Sequence, residues 1–544
     1  MTTKIRLCLV LILLLTPEAK AAEGGDMPAL ARFALASGQP DAALYWASRS
    51  ERAAATRLVA ETLLRLGDPS GAVAVLTDKD NTRTAGSGNH ESATTSLMLA
   101  TLLPEKTVEV RQHLVTAASL GSGETQQQAL YRLAEHERIA GQTDQAGAVL
   151  SRMTGGYWSA LGYLNLAADY SREDRDPTRA LVSLRVALAL AAEGAGEERV
   201  RELVPRILLR AGYLSYQSGD YEKAVSFLSK VPLDSYVTPR ALYLHGLSHA
   251  ARKNYRAAIQ SWHRATKYPM AYPGVADAWM GMAGGYDLSG YLGQAGEYYL
   301  AANAAFDSER VTLRTLAGEI QNKGAYSALV IAARQTNVEW FLADSRNLVQ
   351  PRMAYLLRFL EDSEAQQAVQ RVARLANLAD LLAQYTKDLE LRKAALTQNR
   401  SVGMEQLRNE QKKLLNRYNR LANQFGVLEA GSPIAGRPSA LGTLRVTLND
   451  LAGSIQNLTV RAQAQAKLSR SAQAEVDEAL SRATDLRQRI PSLDRKAREE
   501  LDRLALVFIG SEEQRMVYAL NRTEQQIAHL YEHLAVRSIE RSNP

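Results

Sequence analysis

Cysteine is almost missing from this chain. Of 544 residues only Cys8 is a cysteine, and it stands inside an apolar run at the amino end. The rest of the chain therefore has no disulfide framework, no cysteine zinc site and no thiolate nucleophile. Phenylalanine and tryptophan are scarce, with 7 and 5 residues against 23 tyrosines, so tyrosine supplies most of the aromatic surface. Beyond the amino end no apolar run reaches the ~20 residues a membrane-crossing helix needs. No block of five or six basic residues occurs, and a formal charge of +7 is thin over this length, so nothing argues for nucleic acid as a partner. No Gly-Lys-Ser/Thr follows a strand to cradle phosphate. No strand-rich text supports a nucleophile elbow or a dinucleotide fold, and no spacing singles out a pair of carboxylates. These absences lead away from an enzyme, and no cofactor or metal is expected.

What is present begins with an export signal. Lys4 and Arg6 precede an unbroken apolar run from Leu7 to Leu15, and Ala19-Lys20-Ala21 follows with small residues where a signal peptidase cuts. Residues 1–21 are read as a cleaved signal peptide, with an uncleaved anchor as the alternative. Cys8 precedes the end of the apolar run and is read as part of the signal, not as a lipid-attachment site. Cleavage removes Lys4, Arg6, Lys20 and Glu18, three cations and one carboxylate, which leaves +5. Export without disulfides fits a bacterial periplasm. Three glycosylation sequons, at Asn399, Asn457 and Asn521, fall in helical text and read as chance.

The middle of the chain repeats itself every 34 residues. Gly212 and Gly246 are 34 apart, as are Ala224 and Ala258, and Ala146 and Ala180. Tyr221 and Tyr255 recur with them, after turns at Ser218-Gly219-Asp220 and Lys253-Asn254. A fixed period of this length means stacked helix pairs, each too small to bury its own apolar face. In each pair the small residue lets the second helix approach, and prolines 205, 232, 239 and 269 fall at helix edges. A third copy runs through Trp279, Ala283, Gly284, Tyr291, Ala295, Tyr299 and Ala302. Weaker copies pass through Leu130, Ala134, Gly141, Ala146 and Leu150, and through Leu164, Ala168, Ala180, Leu184 and Ala187. Ala36–Ala47 and Val59–Leu76 look eroded, with Gly38 and Gly67 as turn glycines, and Thr77 to Ser92 interrupts the period. Gly155-Gly156 and Gly284-Gly285 read as inter-helix turns.

Leu208 to Val231 and Leu242 to Ala265 resemble the tetratricopeptide repeat. That resemblance implies an all-α superhelix whose first helices line a concave wall. Carried onto this chain, the wall would consist of Tyr131, Glu135, Arg138, Asn165, Asp169, Arg172, Arg206, Tyr213, Tyr216, Arg240, Tyr243, Asp277 and Asp287. Their mixed charge and tyrosines suit an extended peptide or a partner's helix. The other reading leaves them as a solvated face.

From Leu375 the apolar residues change to heptad spacing, through Leu378, Leu382, Tyr385 and Leu389, with Gly403 as a hinge and resumption from Leu407 to Leu428. Gly431-Ser432-Pro433 and Gly436-Arg437-Pro438 mark a turn. Stricter heptads follow from Leu448 to Ile490, with alanine and serine at the centre, so the seam needs a partner helix along its length. Pro491 is expected to break or kink it. A third stretch, with Leu520, Ile527, Tyr531 and Leu534, reaches about Val536. An antiparallel hairpin with arms of ~75–95 Å at 1.5 Å per residue is the simplest arrangement, a parallel dimer the alternative.

Chain organisation is thus expected as a signal peptide (1–21), degenerate helical repeats (22–120), a tetratricopeptide-like array (121–320), a helical connector (321–364), a coiled-coil or helical hairpin turning at 429–438 (365–537), and a tail (538–544). His245 and His249 share a helix face at i and i+4, without the glutamate of a zinc-protease helix between them. A packed or groove histidine is preferred over a metal ligand there, and surface histidines at His529 and His533. The expected function is a non-enzymatic periplasmic scaffold that binds other envelope proteins in a cell-envelope assembly, with self-association through the coiled coil and peripheral membrane contact as further options. The alternative is an accessory that binds polysaccharide or peptidoglycan during export or envelope biogenesis.

Overall fold

The computed structural model describes residues 27–542, apart from 38–39, 49–52, 66–67, 78–88, 105–106, 175, 332–350 and 431–437. The signal peptide with Cys8, Gly38 and Gly67, most of the break at 77–92 and the turn at 431–437 lie outside the described residues. Among those described, every regular element is helical. The chain divides into two units. One holds the described residues up to Ala304 and those from Asn521 on, and the other those from Ala305 to Leu520.

The first unit opens with four short helices, α1 (Met27–Ala36), α2 (Pro40–Ser48), α3 (Ala53–Arg65) and α4 (Pro69–Thr77). Alanines at their contacts (Ala31, Ala43, Ala60 and Ala72) are fully buried. Then α5 (Asn89–Leu102) pairs with α6 (Val108–Leu120), and α7 (Gly123–Ile139) with α8 (Thr143–Leu150). α9 (Tyr157–Glu173) pairs with α10 (Thr178–Glu193), α11 (Glu198–Gln217) with α12 (Tyr221–Leu228), and α13 (Thr238–Ala251) with α14 (Tyr255–Ala265). α15 (Val275–Leu288) pairs with the start of α16 (Leu292–Lys323). This is the tetratricopeptide-like stack.

The repeated text has repeated causes. Gly219 (φ 80°) and Lys253 (φ 59°), one period apart, both take the left-handed conformation that ends a first helix. The next residue then caps the second helix. Asp220 accepts from Lys223 N at 3.1 Å, and Asn254 from Ala257 N at 3.3 Å. The glycines at the helix crossing are required by space. A Cβ on Gly212 would lie 2.5 Å from Leu228 Cγ, and one on Gly246 2.3 Å from Trp262 Nε1. Ala180 to Ala224 spans 44 residues, ten more than the period, because α10 has 16 residues where α8 and α12 each have 8.

Three expectations in this region are corrected. Pro205 is buried in the interior of α11, not at a helix edge. The helix starts seven residues earlier, and one missing donor does not stop a helix held by Leu203, Ile207 and Leu208 in the core. Gly284-Gly285 lies within α15 and is no turn. A Cβ on Gly285 would meet Ile259 Cγ1 at 2.8 Å, so its bareness serves the approach of α15 to α14. Tyr291, which the third copy matches to Tyr221 and Tyr255 as the tyrosine that plugs the gap between paired helices, is 59% exposed.

In the second unit, the later turns of α16 meet a π-helical turn (Tyr326–Ile331), α17 (Pro351–Phe359), the start of α18 (Ser363–Ala430) and part of α19 (Pro438–Ser542). Leu313, Ile320, Tyr355, Leu356, Leu501 and Ile509 are buried there. Phe508 packs its ring 5.6 Å from that of Phe359. Tyr355 Oη donates to Glu309 Oε1 at 2.5 Å, and burial raises the Glu309 and Glu512 carboxyls above the usual range.

Helices α18 and α19 pair antiparallel. Lys393 Nζ lies 2.7 Å from Asp477 Oδ1, and Gln411 Nε2 donates to Thr459 Oγ1 at 3.2 Å. Eighteen residues forward on one helix (393 to 411) are eighteen back on the other (477 to 459). Leu382 meets Ala483 and Ile490 across the seam. Gly403 makes no hinge, since α18 continues through it. Pro491 does not break its helix either: α19 runs 105 residues with Pro491 inside. The lost hydrogen bond and ring clash cost roughly 3 kcal/mol, which burial of Ala483 and Ile490 against α18 helps offset. The helix also continues to Ser542, through most of the expected tail.

Candidate functional site

All thirteen nominated wall residues lie on the first helices of their pairs: α7, α9, α11, α13 and α15. Six of them join into one hydrogen-bonded network between α7 and α9. Arg138 is at its centre. Its Nε and Nη2 donate to Glu135 at 3.1 and 2.8 Å, and its Nη1 donates to Asp169 Oδ2 at 2.9 Å. Asp169 also accepts from Arg172. Asn165 Nδ2 donates to Glu135 Oε1 at 3.1 Å and to Tyr131 Oη at 3.3 Å.

The period builds this network. Tyr131 and Asn165, Glu135 and Asp169, and Arg138 and Arg172 are each 34 apart, so the fold brings equivalent positions of neighbouring first helices side by side. The Asp169 side chain is only 10% exposed and that of Arg138 21%, so these charges hold one another rather than water. The hydrogen bond to Glu135, above all, raises the Arg138 guanidinium further above its ordinary value. Burial, then the neighbouring Glu135 charge, pushes the Tyr131 hydroxyl up to about 12. At neutral pH this is a fixed row of donors and acceptors.

The remaining seven do not join it. Arg206, Arg240 and Asp277 are exposed. Tyr213 Oη accepts from Gln217 Nε2 at 2.6 Å. Tyr216 stacks at a tilt on Tyr221, ring centres 5.6 Å apart. Burial, then Asp277 and Tyr216, pushes Tyr243 up to about 12. Asp287 raises the pKa of Tyr299, after burial.

The last turns of α19 occupy this end of the array. Leu530 is buried with Ala283, Ala295 and Tyr299, and Ile527 packs beside it. Thr523, on the same face, is fully buried. Arg522 stands close enough to Tyr243 and Tyr299 to lower the pKa of both against the effect of burial. Heptad text alone does not separate these turns from the hairpin.

Residues that sequence reasoning missed lie at the rim. Glu124 at the start of α7, Tyr157 and Trp158 at the start of α9, and Glu197, Glu198 and Arg199 at the start of α11 line a cavity of about 540 Å³. The Trp158 ring is 5.2 Å from Tyr131, which ties the cavity to the network, and 5.1 Å from Tyr157. One sequence signal existed: Trp158 follows a Gly-Gly turn, with Gly156 at φ 121°.

His245 packs in the α13–α14 pair. Its Nδ1 donates to Ser261 Oγ at 2.8 Å, because that hydroxyl donates onward to Ala257 O. Burial, then His249 and Arg264, lowers the ring to about 4. The His249 ring sits 4.6 Å away, edge to face. Among the described residues no group of three metal-ligating side chains occurs. His529 and His533 are exposed on α19.

No family model matches the sequence, and no curated protein is significantly similar to it. Solved structures similar to it include the apo form of RapI, at 10% identity and a TM-score of 0.30, covering 68% of this chain and 92% of that one. Human IFIT1 matches at 15% identity and 0.21, covering 68% and 88%. The TPR2AB domain of yeast Sti1, solved as a pHSP90 complex, matches at 14% and 0.18, covering 55% and 95%. With superpositions this loose, the repeat assignment rests on the helix pairing described above.

Proposed function

We propose that the protein is a non-catalytic periplasmic scaffold that binds partner proteins along its first-helix wall within a cell-envelope assembly. The observation that carries this reading is the α19 segment already seated on the array. Leu530 and Ile527 dock among Ala283, Ala295 and Tyr299, so the stack accepts an amphipathic helix as a ligand would be accepted. Further along, α7 and α9 present a fixed row of polar groups that a peptide main chain could meet. The α18–α19 hairpin then sets spacing or recruits a second partner.

The test uses the full mature chain, expressed in a bacterial periplasm, with a photo-crosslinking residue at Arg206 or Arg240. Crosslinking to one envelope protein at both positions supports the reading. Crosslinks from Val460 on the hairpin alone move recognition there and overturn it. The address is checked by sequencing the amino terminus of the exported protein, which should begin just after Ala21.

A second reading, binding of polysaccharide or peptidoglycan, draws support from the clustered rings of Tyr131, Tyr157 and Trp158 beside the rim cavity. Co-purifying glycan without a crosslinked protein would favour it.

A further inference from the structure

The rim cavity has a composition unlike the rest of the wall. Three carboxylates, Glu124, Glu197 and Glu198, surround one cation, Arg199, over the rings of Tyr157 and Trp158. The Arg199 guanidinium carbon lies 4.9 Å from the Tyr157 ring centre and 5.7 Å from that of Trp158. Its Nη2 is 3.0 Å from Glu124 Oε1 and 3.5 Å from Glu197 Oε2. A guanidinium is therefore already favourable at this spot, held by ring faces and carboxylates together.

This cation is only loosely held. The side chains of Arg199, Glu124 and Glu197 are 50%, 66% and 48% exposed, and exposed ion pairs contribute little. Glu198 makes no ion pair with Arg199. The cavity's balance is thus two carboxylates in excess, around aromatic faces that one of the protein's own side chains covers. Trp158 Nε1 is also buried without a hydrogen-bond partner; a guanidinium has no acceptor for it, so of the ligand peptide only a backbone carbonyl beside the cation could take that donor.

We propose that this cavity is a binding site for an arginine side chain of a partner peptide, with Arg199 standing in for it until the partner arrives. The site deepens the scaffold reading and rests on it. The wall network would hold the peptide main chain from Tyr131 onward, and the rim would read one cationic residue. A glycan would also use the rings, and its hydroxyls could donate to the carboxylates, but only a cation offsets their excess negative charge.

The experiment takes the full mature protein and a fluorescent six-residue Gly/Ser peptide carrying one arginine, beside its neutral citrulline twin, by anisotropy at low salt. The arginine peptide should bind about tenfold more tightly than the citrulline one. Arg199→Ala, an exposed change that leaves the fold intact, should tighten binding about fivefold, and Glu198→Gln should weaken it about threefold. Equal binding of the twins, or an Arg199→Ala variant no tighter than the native chain, overturns the proposal. So does equal weakening by Asp144→Asn, a control carboxylate elsewhere on the surface, since a diffuse field would then suffice. A chitin oligosaccharide whose binding Arg199→Ala tightens, while the peptide's does not change, transfers the cavity to the glycan reading. If crosslinking at Arg206 and Arg240 is unaltered by Glu198→Gln, the scaffold stands and the arginine site falls. Tight peptide binding without any crosslinked protein gives the reverse.

Discussion

Gly212 and Gly246 carry the same text one period apart, and the structure separates what adding one methyl does at each. At Gly246 the methyl would stand 2.3 Å from Trp262 Nε1 and 2.6 Å from Cδ1, where ordinary contacts are about 3.5–4.0 Å. Trp262 is 3% exposed and its Nε1 donates to Tyr243 O at 3.1 Å. The indole therefore moves only by giving up that bond. Overpacking costs about 1–3 kcal/mol, and an orphaned buried donor about 1–3 kcal/mol. Alanine in place of a helical glycine returns about 1 kcal/mol. Gly246→Ala should thus destabilise the repeat unit by about 1–5 kcal/mol, centred near 3. At Gly212 the neighbour is Leu228, which has no hydrogen bond to lose, so only overpacking less the helix gain remains, about 1 kcal/mol. At Gly403 a methyl meets nothing within 4 Å, and only the helix gain of about 1 kcal/mol remains. Urea unfolding followed by tryptophan fluorescence reads the first two variants, because four of the five tryptophans, Trp46, Trp158, Trp262 and Trp279, lie in the repeat unit. Far-UV circular dichroism reads the third. A Gly246→Ala midpoint at or above the native one would refute the reasoning, as would a Gly403→Ala midpoint below it.

Lys253 holds a left-handed backbone where the preceding repeat uses Gly219, so Lys253→Gly should stabilise by about 0.5–1 kcal/mol. A lower melting temperature would show that the lysine side chain contributes more than its strain. Asp169→Asn removes the charge that pairs with both Arg138 and Arg172, at a cost of about 1–3 kcal/mol; a melt unchanged from the native chain would show the network to be indifferent to charge. His245 titrates near 4 when folded and 6.5 when unfolded, so the unfolded chain takes up the proton first. Its contribution is complete above pH 6.5 and is lost as pH falls toward 4, roughly 1–2 kcal/mol once its partial exposure is discounted. His245→Gln should flatten the stability profile within that window, and an unchanged slope there would assign the acid sensitivity to other groups.

The helical stack was legible because its rules are local. The glycine or lysine that ends a first helix, the Asp220 or Asn254 cap, and the small residue at the crossing lie within one period, and their recurrence is visible without coordinates. That the nominated residues fall on first helices was legible for the same reason, since a period of 34 assigns equivalent residues to equivalent faces. Three readings failed where local rules yield to packing. Pro205 and Pro491 stay inside helices because neighbouring buried residues outweigh a single lost bond, and of the Gly284-Gly285 pair, Gly285 is bare to admit α14, not to turn the chain. The rim cavity escaped notice because Glu124, Tyr157 and Glu198 come from three different helix starts, and no spacing rule joins them.

By itself, then, the sequence determined that the chain is helical, where its repeats recur and which residues line their first helices, because helix capping, glycine bareness and a fixed period act over a few tens of residues. Only the tertiary structure decided that six wall residues close into one network, that Arg199 covers an acidic aromatic cavity, and that the turns around Leu530 dock on α15 and α16. Those outcomes depend on distances between segments far apart in the chain, set by how whole helices pack and by which charges that packing removes from water.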